Sequence, residues 1–187
     1  MKKATRKAMA KRTDSAVARL ASLRARIDAL DGRLVALLNQ RSRLAQAIGE
    51  LKSAQGAPLF VPEREQQVLA GLSKRNGGPL SQHSLAAIYR EIISAALSLE
   101  GGLKIGVVDV ANGAIGLAAR DRFGASARYE RARSAPVAVR GLLDGRWHAL
   151  CVAESALKSA RRAIEAGLLR VSKVPGSRCV VLVRGGG

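Results

Sequence analysis

The chain has 187 residues and a formal charge of +18, from 32 Lys/Arg against 14 Asp/Glu. At 48% apolar it can build a core, which excludes global disorder. At 3% aromatic it has no stacking platform for single-stranded nucleic acid. The charge is uneven: residues 1–12 carry six basic and no acidic side chains, residues 13–100 eleven and eight, and residues 101–187 fifteen and six. A balance of this kind suits an anionic partner, either RNA or an acidic metabolite. Cys151 and Cys179 lie far apart in the sequence and fit no zinc or redox spacing, so they read as small core residues of a reducing compartment.

MKKATRKAMAKRTDS contains no apolar run long enough for a signal peptide or a membrane span. Residues 1–14 read as a basic disordered tail, and the expected location is the cytoplasm. Thr13, Asp14 and Ser15 are N-cap candidates for a helix running from about Ser15 to Ala54. Its apolar positions are Leu20, Leu23, Ile27, Leu30, Leu34 and Leu37, then Leu44, Ile48 and Leu51. The steps alternate between three and four, as along a coiled-coil seam. They are broken by one gap of seven, and the missing position is Arg41. Gly32 and Gly49 each weaken the helix by about 1 kcal/mol relative to Ala. A helix this long needs a partner on its seam, so dimerisation is expected.

QGAPLFVP (55–62) breaks the helix, and Pro62 then suits the first turn of a second one, with Glu63 and Glu65 near its positive end. Val68, Leu69 and Leu72 form its stripe, and NGGP (76–79) ends it. Ser81 caps a third helix with Leu85, Ile88, Ile92, Ala96 and Leu99 on one face, closed by Gly101–Gly102. Beyond this point the pattern changes. Strands are expected at 104–110, 127–131, 148–153 and 179–183, and helices at 115–124, 135–145 and 155–167. The alternation predicts a small α/β domain, residues 102–187, with a largely parallel sheet.

A charge on an apolar seam is costly unless it is paired. Lys52 lies eleven residues beyond Arg41, which returns it to within about 20° of the same face, roughly 16 Å along the axis. Two long cations can therefore lean toward one ligand between them. Arg24 is roughly 25 Å from Arg41 along the helix and reaches that ligand only from an antiparallel partner. PERE sets Arg64 and Glu65 at the start of the second helix, and Glu100 ends the third on the stripe of Ala96. Cations from several helices with two carboxylates suit a small polyanion. The alternative for Arg41 is a seam arginine that fixes register or oligomeric state.

LASLRARIDALDGRLVALLNQR, followed by IGELK, VPEREQQVL and IYREIISAALSLE, resembles the all-helical chorismate mutase family over residues 15–101. It is most similar to the mutase halves of bifunctional chorismate mutase–prephenate dehydratases. The resemblance implies an intertwined homodimer of three-helix chains, with chorismate as substrate and no cofactor or metal. It implies that Arg24 is donated across the dimer and that Arg41 holds a carboxylate. It implies too that Lys52 bonds the ether oxygen and a carboxylate, and that Arg64 is a further cation. By the same resemblance Glu65 would bind the ring hydroxyl and Glu100 would face the ether oxygen. Ala96 stands where some relatives place a Ser that touches substrate, and Val61 where some have Asp, leaving its backbone to contact the hydroxyl. The catalytic set implied is Lys52, Glu100 and Arg41.

Residues 103–184 weakly resemble the start of a prephenate dehydratase domain, but the loop reads DVANGAI and the next strand ends HALCVAESAL. A degenerate remnant is expected, without dehydratase activity. Glu154 and Ser155 mark a strand–helix junction where such residues most often cap the helix. His83 and His148 are isolated and not expected to be catalytic. Two other functions are open. Isochorismate pyruvate lyase uses the same scaffold, although VPERE and the long second domain count against it. A non-catalytic basic module would bind RNA or an effector with salt-sensitive affinity; nucleic acid is not the expected partner.

Overall fold

The computed structural model describes the backbone of residues 2–109 and 113–185, and side chains from residue 16 onward. Helix α1 spans Lys2–Ala54, α2 Pro62–Arg75 and α3 Gln82–Leu99. The backbone of α1 is therefore helical through Thr13–Ser15, which do not cap it as the sequence led one to expect. The basic tail expected over residues 1–14 lies outside the residues whose side chains are described. Pro62 opens α2, where its missing N–H costs nothing. Ser81 caps α3, its hydroxyl accepting from the Ser84 amide at 3.0 Å.

The chain divides into two compact units, Met1–Arg43 and Leu44–Gly187. The first is the leading part of α1. Its stripe of Leu20, Leu23, Ile27, Leu30, Leu34 and Leu37 is between 46% and 61% exposed in the single chain. The second holds the end of α1, the helices α2 and α3, and an α/β layer.

That layer contains β1 (Lys104–Val107), α4 (Ala114–Phe123), β2 (Arg128–Arg131), α5 (Ala135–Leu143), β3 (Ala149–Ala153), a 3-10 turn (Glu154–Ser159), α6 (Arg161–Glu165), β4 (Leu169–Lys173) and β5 (Cys179–Arg184). The sheet order is β2-β1-β3-β5-β4. β1 pairs parallel with β2 and β3, while β5 pairs antiparallel with β3 and β4. The sheet is therefore mixed rather than largely parallel. The unforeseen strand is β4. Its sequence LRVSK is exposed at four of five positions and sits at a sheet edge, so it carries no buried apolar run to announce it. The helix expected over 155–167 is a 3-10 turn followed by five α-helical residues.

Successive strand residues face opposite ways. Ile105, Val107, Cys151 and Val181 pack with Phe123 of α4, whereas Leu150, Val152 and Leu182 pack with Leu142 and Trp147 on the other face. The first of these cores also takes in Phe60 before α2 and Leu97 of α3. The α/β layer and the helices α2 and α3 thus share apolar packing. The two cysteines, distant in sequence, are neighbours on adjacent strands: Cys151 pairs with Val181 and Cys179 with Ala153 in the ladder. A hydrogen bond with Cys179, reinforced by burial, holds the Cys151 thiol well above its ordinary pKa.

Candidate active site

Six of the eight candidate residues lie in the second unit. Glu100 follows the last residue of α3, its amide bonded to the Ala96 carbonyl at 3.2 Å. Its side chain crosses the end of α1 at Gly49: a Cβ there would stand 2.8 Å from Glu100 Cγ and 2.9 Å from its Cβ. Gly49 therefore permits a close approach that any side chain would obstruct. A groove of about 530 Å³ opens beside this crossing, lined by Gln46, Gly49, Glu50, Ser53, Leu99 and Glu100.

Lys52 lies almost one turn beyond Gly49, half-buried, and its ammonium donates to the Leu59 carbonyl at 3.3 Å. This contact ties the end of α1 to the loop before α2, two residues short of Val61. Val61 is half-buried and is the N-cap residue of α2. Arg64 is exposed in the first turn of α2. Ala96 is 4% exposed, within α3.

Glu65, in the first turn of α2, is in contact with the α/β layer. It is 7% exposed and its Oε1 accepts from Arg122 Nη1 of α4 at 2.6 Å, while its Oε2 is buried without a hydrogen-bond partner. The structure joins this carboxylate to the α/β layer rather than leaving it open to a ligand. Arg24 and Arg41 lie in the first unit. Arg24 is exposed and Arg41 half-buried, with Arg41 Nη1 buried and unpartnered. An unsatisfied buried donor costs about 1–3 kcal/mol, more for a charged group.

The contact of Arg122 with Glu65 was not legible in the sequence. The helix ending ARDRFG places Arg122 in a last turn, where cations suit the helix dipole, but nothing local indicates a partner 57 positions away. The end of α4 is pinned from two sides. Gly124 follows the helix with φ +79°, and a Cβ there would meet Ser94 Cβ of α3 at 2.7 Å. Tyr129 Oη donates to the Gly124 carbonyl at 2.5 Å, and burial pushes its pKa up to about 12.

Two acidic residues of the α/β layer make local contacts. Glu154 pairs with Lys173 at 2.7 Å at the start of the 3-10 turn. Asp109 Oδ1 accepts from the Ile115 amide at 3.2 Å, at the start of α4. Asp109 borders a cavity of about 300 Å³ with Val107, Gly113, Arg120 and Arg131. Among the described residues no group of three His, Cys, Asp or Glu side chains could hold a metal, and no helix is long and apolar enough to cross a membrane.

Three consecutive helices, with Arg24, Arg41 and Lys52 on the first and Glu100 directly after the third, precede the α/β layer. Residues 23–101 match the family model described as Chorismate mutase type II, and that segment belongs to this family. The bifunctional chorismate mutase/prephenate dehydratase of Aquifex aeolicus is 42% identical over 114 residues, 59% of this chain and 32% of that protein. The bifunctional protein of Pseudomonas aeruginosa is 43% identical over 91 residues, 46% of this chain and 25% of that one. A chorismate mutase structure (form II) from Thermus thermophilus is 36% identical and covers 44% of this chain and 94% of that one, with a TM-score of 0.44. The chain spans a quarter to a third of the length of these two curated relatives.

Proposed function

We propose that the chain is a cytoplasmic, homodimeric chorismate mutase that converts chorismate to prephenate for aromatic amino-acid biosynthesis. The observation that carries this reading is Arg41. It is a guanidinium on an apolar stripe with a buried, unpartnered Nη1, inside a segment that belongs to the chorismate mutase type II family. A substrate carboxylate satisfies that donor.

The reaction is an intramolecular [3,3] rearrangement. The bond between the ether oxygen and the ring breaks as a new carbon–carbon bond forms, and no nucleophile takes part. The protein has two tasks: to hold the reactive chair and to stabilise negative charge growing on the ether oxygen. Arg41, Arg64 and a partner-donated Arg24 hold the carboxylates. Lys52 and Glu100 flank the ether oxygen, Glu100 as a donor in its protonated form. The Val61 backbone and Glu65 take the ring hydroxyl. Ala96 contributes shape without the hydroxyl that a Ser would offer. The exposed seam of α1 is the surface on which a second copy would bury its own and bring Arg24 within reach. The α/β layer is read as a remnant without dehydratase chemistry.

The test is product analysis after mixing purified protein with chorismate between pH 5 and 8. Prephenate should accumulate, with no enzymatic phenylpyruvate. Lys52→Ala should lower kcat by about 10²–10³, the usual loss of one transition-state donor. Undiminished turnover in that variant would rule out the assigned chemistry. Turnover of isochorismate to pyruvate instead would identify the lyase.

A further inference from the structure

The first turn of α2 is gripped by the α/β layer. Glu63 accepts from Arg170 of β4, and Glu65 accepts from Arg122 of α4. Phe60, just before the helix, meets Phe123 edge-on with ring centroids 5.4 Å apart. All three contacts fall on the segment that carries Val61, Arg64 and Glu65. Their effect on the three differs. Arg64 stays exposed, whereas Glu65 has one oxygen engaged by Arg122 and the other closed to solvent. The cavity that Glu65 borders, together with Arg90, Ser94 and Arg122, holds about 10 Å³. That is room for about one water molecule and far below a substrate-sized site of several hundred Å³.

We propose that Arg122 withholds Glu65 from chorismate. The guanidinium and the substrate's ring hydroxyl compete for one carboxylate, so docking of the α/β layer onto α2 opposes complete substrate binding. This rests on the assignment of the ring hydroxyl to Glu65 made above. Two observations favour exchange over a permanent structural pair. Oε2 pays for burial without a donor, so the docked arrangement leaves Glu65 incompletely satisfied. Arg122 keeps 20% of its side chain exposed, so it can return to water when the carboxylate leaves. Reciprocity then requires that bound substrate loosen the grip of α4 by the same factor by which docking weakens binding.

The experiment uses the full chain and compares Arg122→Met, Glu65→Gln and the double variant in steady-state kinetics with chorismate. Arg122→Met should lower KM by about tenfold, the scale of one hydrogen bond to a charged group, with little change in kcat. Glu65→Gln should raise KM, and the double variant should match Glu65→Gln, because release matters only while the carboxylate is present. In the wild-type chain, a bicyclic dicarboxylate that mimics the transition state should speed hydrogen exchange in the last turn of α4. A folded Arg122→Met with unchanged or raised KM overturns the withholding, as does unchanged exchange in α4 with the mimic bound. If Glu65→Gln leaves KM unchanged, the ring-hydroxyl assignment itself fails and the proposal falls with it. Should Arg122→Met not fold, Arg122→Lys replaces it with an intermediate fall in KM expected, and no fall overturns the proposal.

Discussion

His148 ties together the starts of two strands: its Nδ1 accepts from the Lys104 amide at 2.9 Å, and its own amide donates to the Lys104 carbonyl at 2.9 Å. Only the neutral ring can accept at Nδ1. Burial, helped by Arg184 and Lys104, lowers its pKa below the ordinary 6.5. As pH falls the unfolded chain therefore takes the proton first. The stabilising contribution is full above the ordinary value and is lost as pH drops through the lower folded value. A shallow decline in Tm from pH 7 to pH 5 is expected. His148→Asn, whose side-chain oxygen can take the place of Nδ1, should flatten that decline, and differential scanning calorimetry at several pH values measures it. Glu100 gives a second dependence, this time on activity. A carboxyl donates to an ether oxygen only when protonated, so kcat should rise toward mildly acidic pH. Glu100→Gln, a donor at every pH, should remove that slope; a pH–rate profile identical to wild type would remove Glu100 from the mechanism. At this scale a residue that breaks a pattern stands out in the sequence, as Arg41 does on its seam. The arginine that takes the Glu65 carboxylate does not stand out, because it lies 57 positions away.

Elements whose period matched one environment were legible. The alternating three-and-four spacing marks α1 over most of its length, and Pro62 and Ser81 mark the starts of α2 and α3. Apolar runs mark β3 and β5, which are buried on both faces. β4 was not legible because an exposed edge strand needs no apolar run, and without it the sheet read as largely parallel. The interior of β1 shows a further constraint. Gly106 pairs with Glu130 and Leu150 in the two flanking ladders. A Cβ there would stand 2.7 Å from Trp147 Cδ2 and 2.8 Å from Cε3. Trp147 is 1% exposed and its indole N–H is held by Glu130 Oε2 at 3.0 Å, so the ring has no room to withdraw. Gly106→Ala should destabilise the second unit by about 1–3 kcal/mol, the cost of overpacking a closed core. Denaturant unfolding followed by the fluorescence of the chain's single tryptophan reads this directly; an unchanged midpoint would mean the strand can shift away from the ring.

At the scale of the whole molecule, the seam of α1 poses the largest question. Leu20, Leu23, Ile27, Leu30, Leu34 and Leu37 lie along one stripe of the first unit, each roughly half-exposed. A continuous apolar stripe of this length is costly in water and marks an interaction surface. Steps of three and four residues are the spacing with which helices pack together in a coiled coil. If the partner is a second copy in antiparallel arrangement, each site takes Lys52 from one chain and Arg24 from the other. Subunit mixing tests this directly. Arg24→Ala and Lys52→Ala homodimers should each be nearly inactive, since each lacks one cation at both sites. Dissociated and re-paired in equal amounts, about half the dimers would be mixed, and each mixed dimer would hold one intact site and one doubly defective one. Activity should return to about a quarter of wild type by that count. If Arg24 acted in the same chain as Lys52, every site in the mixture would stay defective and no activity would return. Ile27→Asp, which sets a charge on the stripe, should yield a monomer in sedimentation and should also prevent the recovery, tying it to the seam rather than to either cation alone.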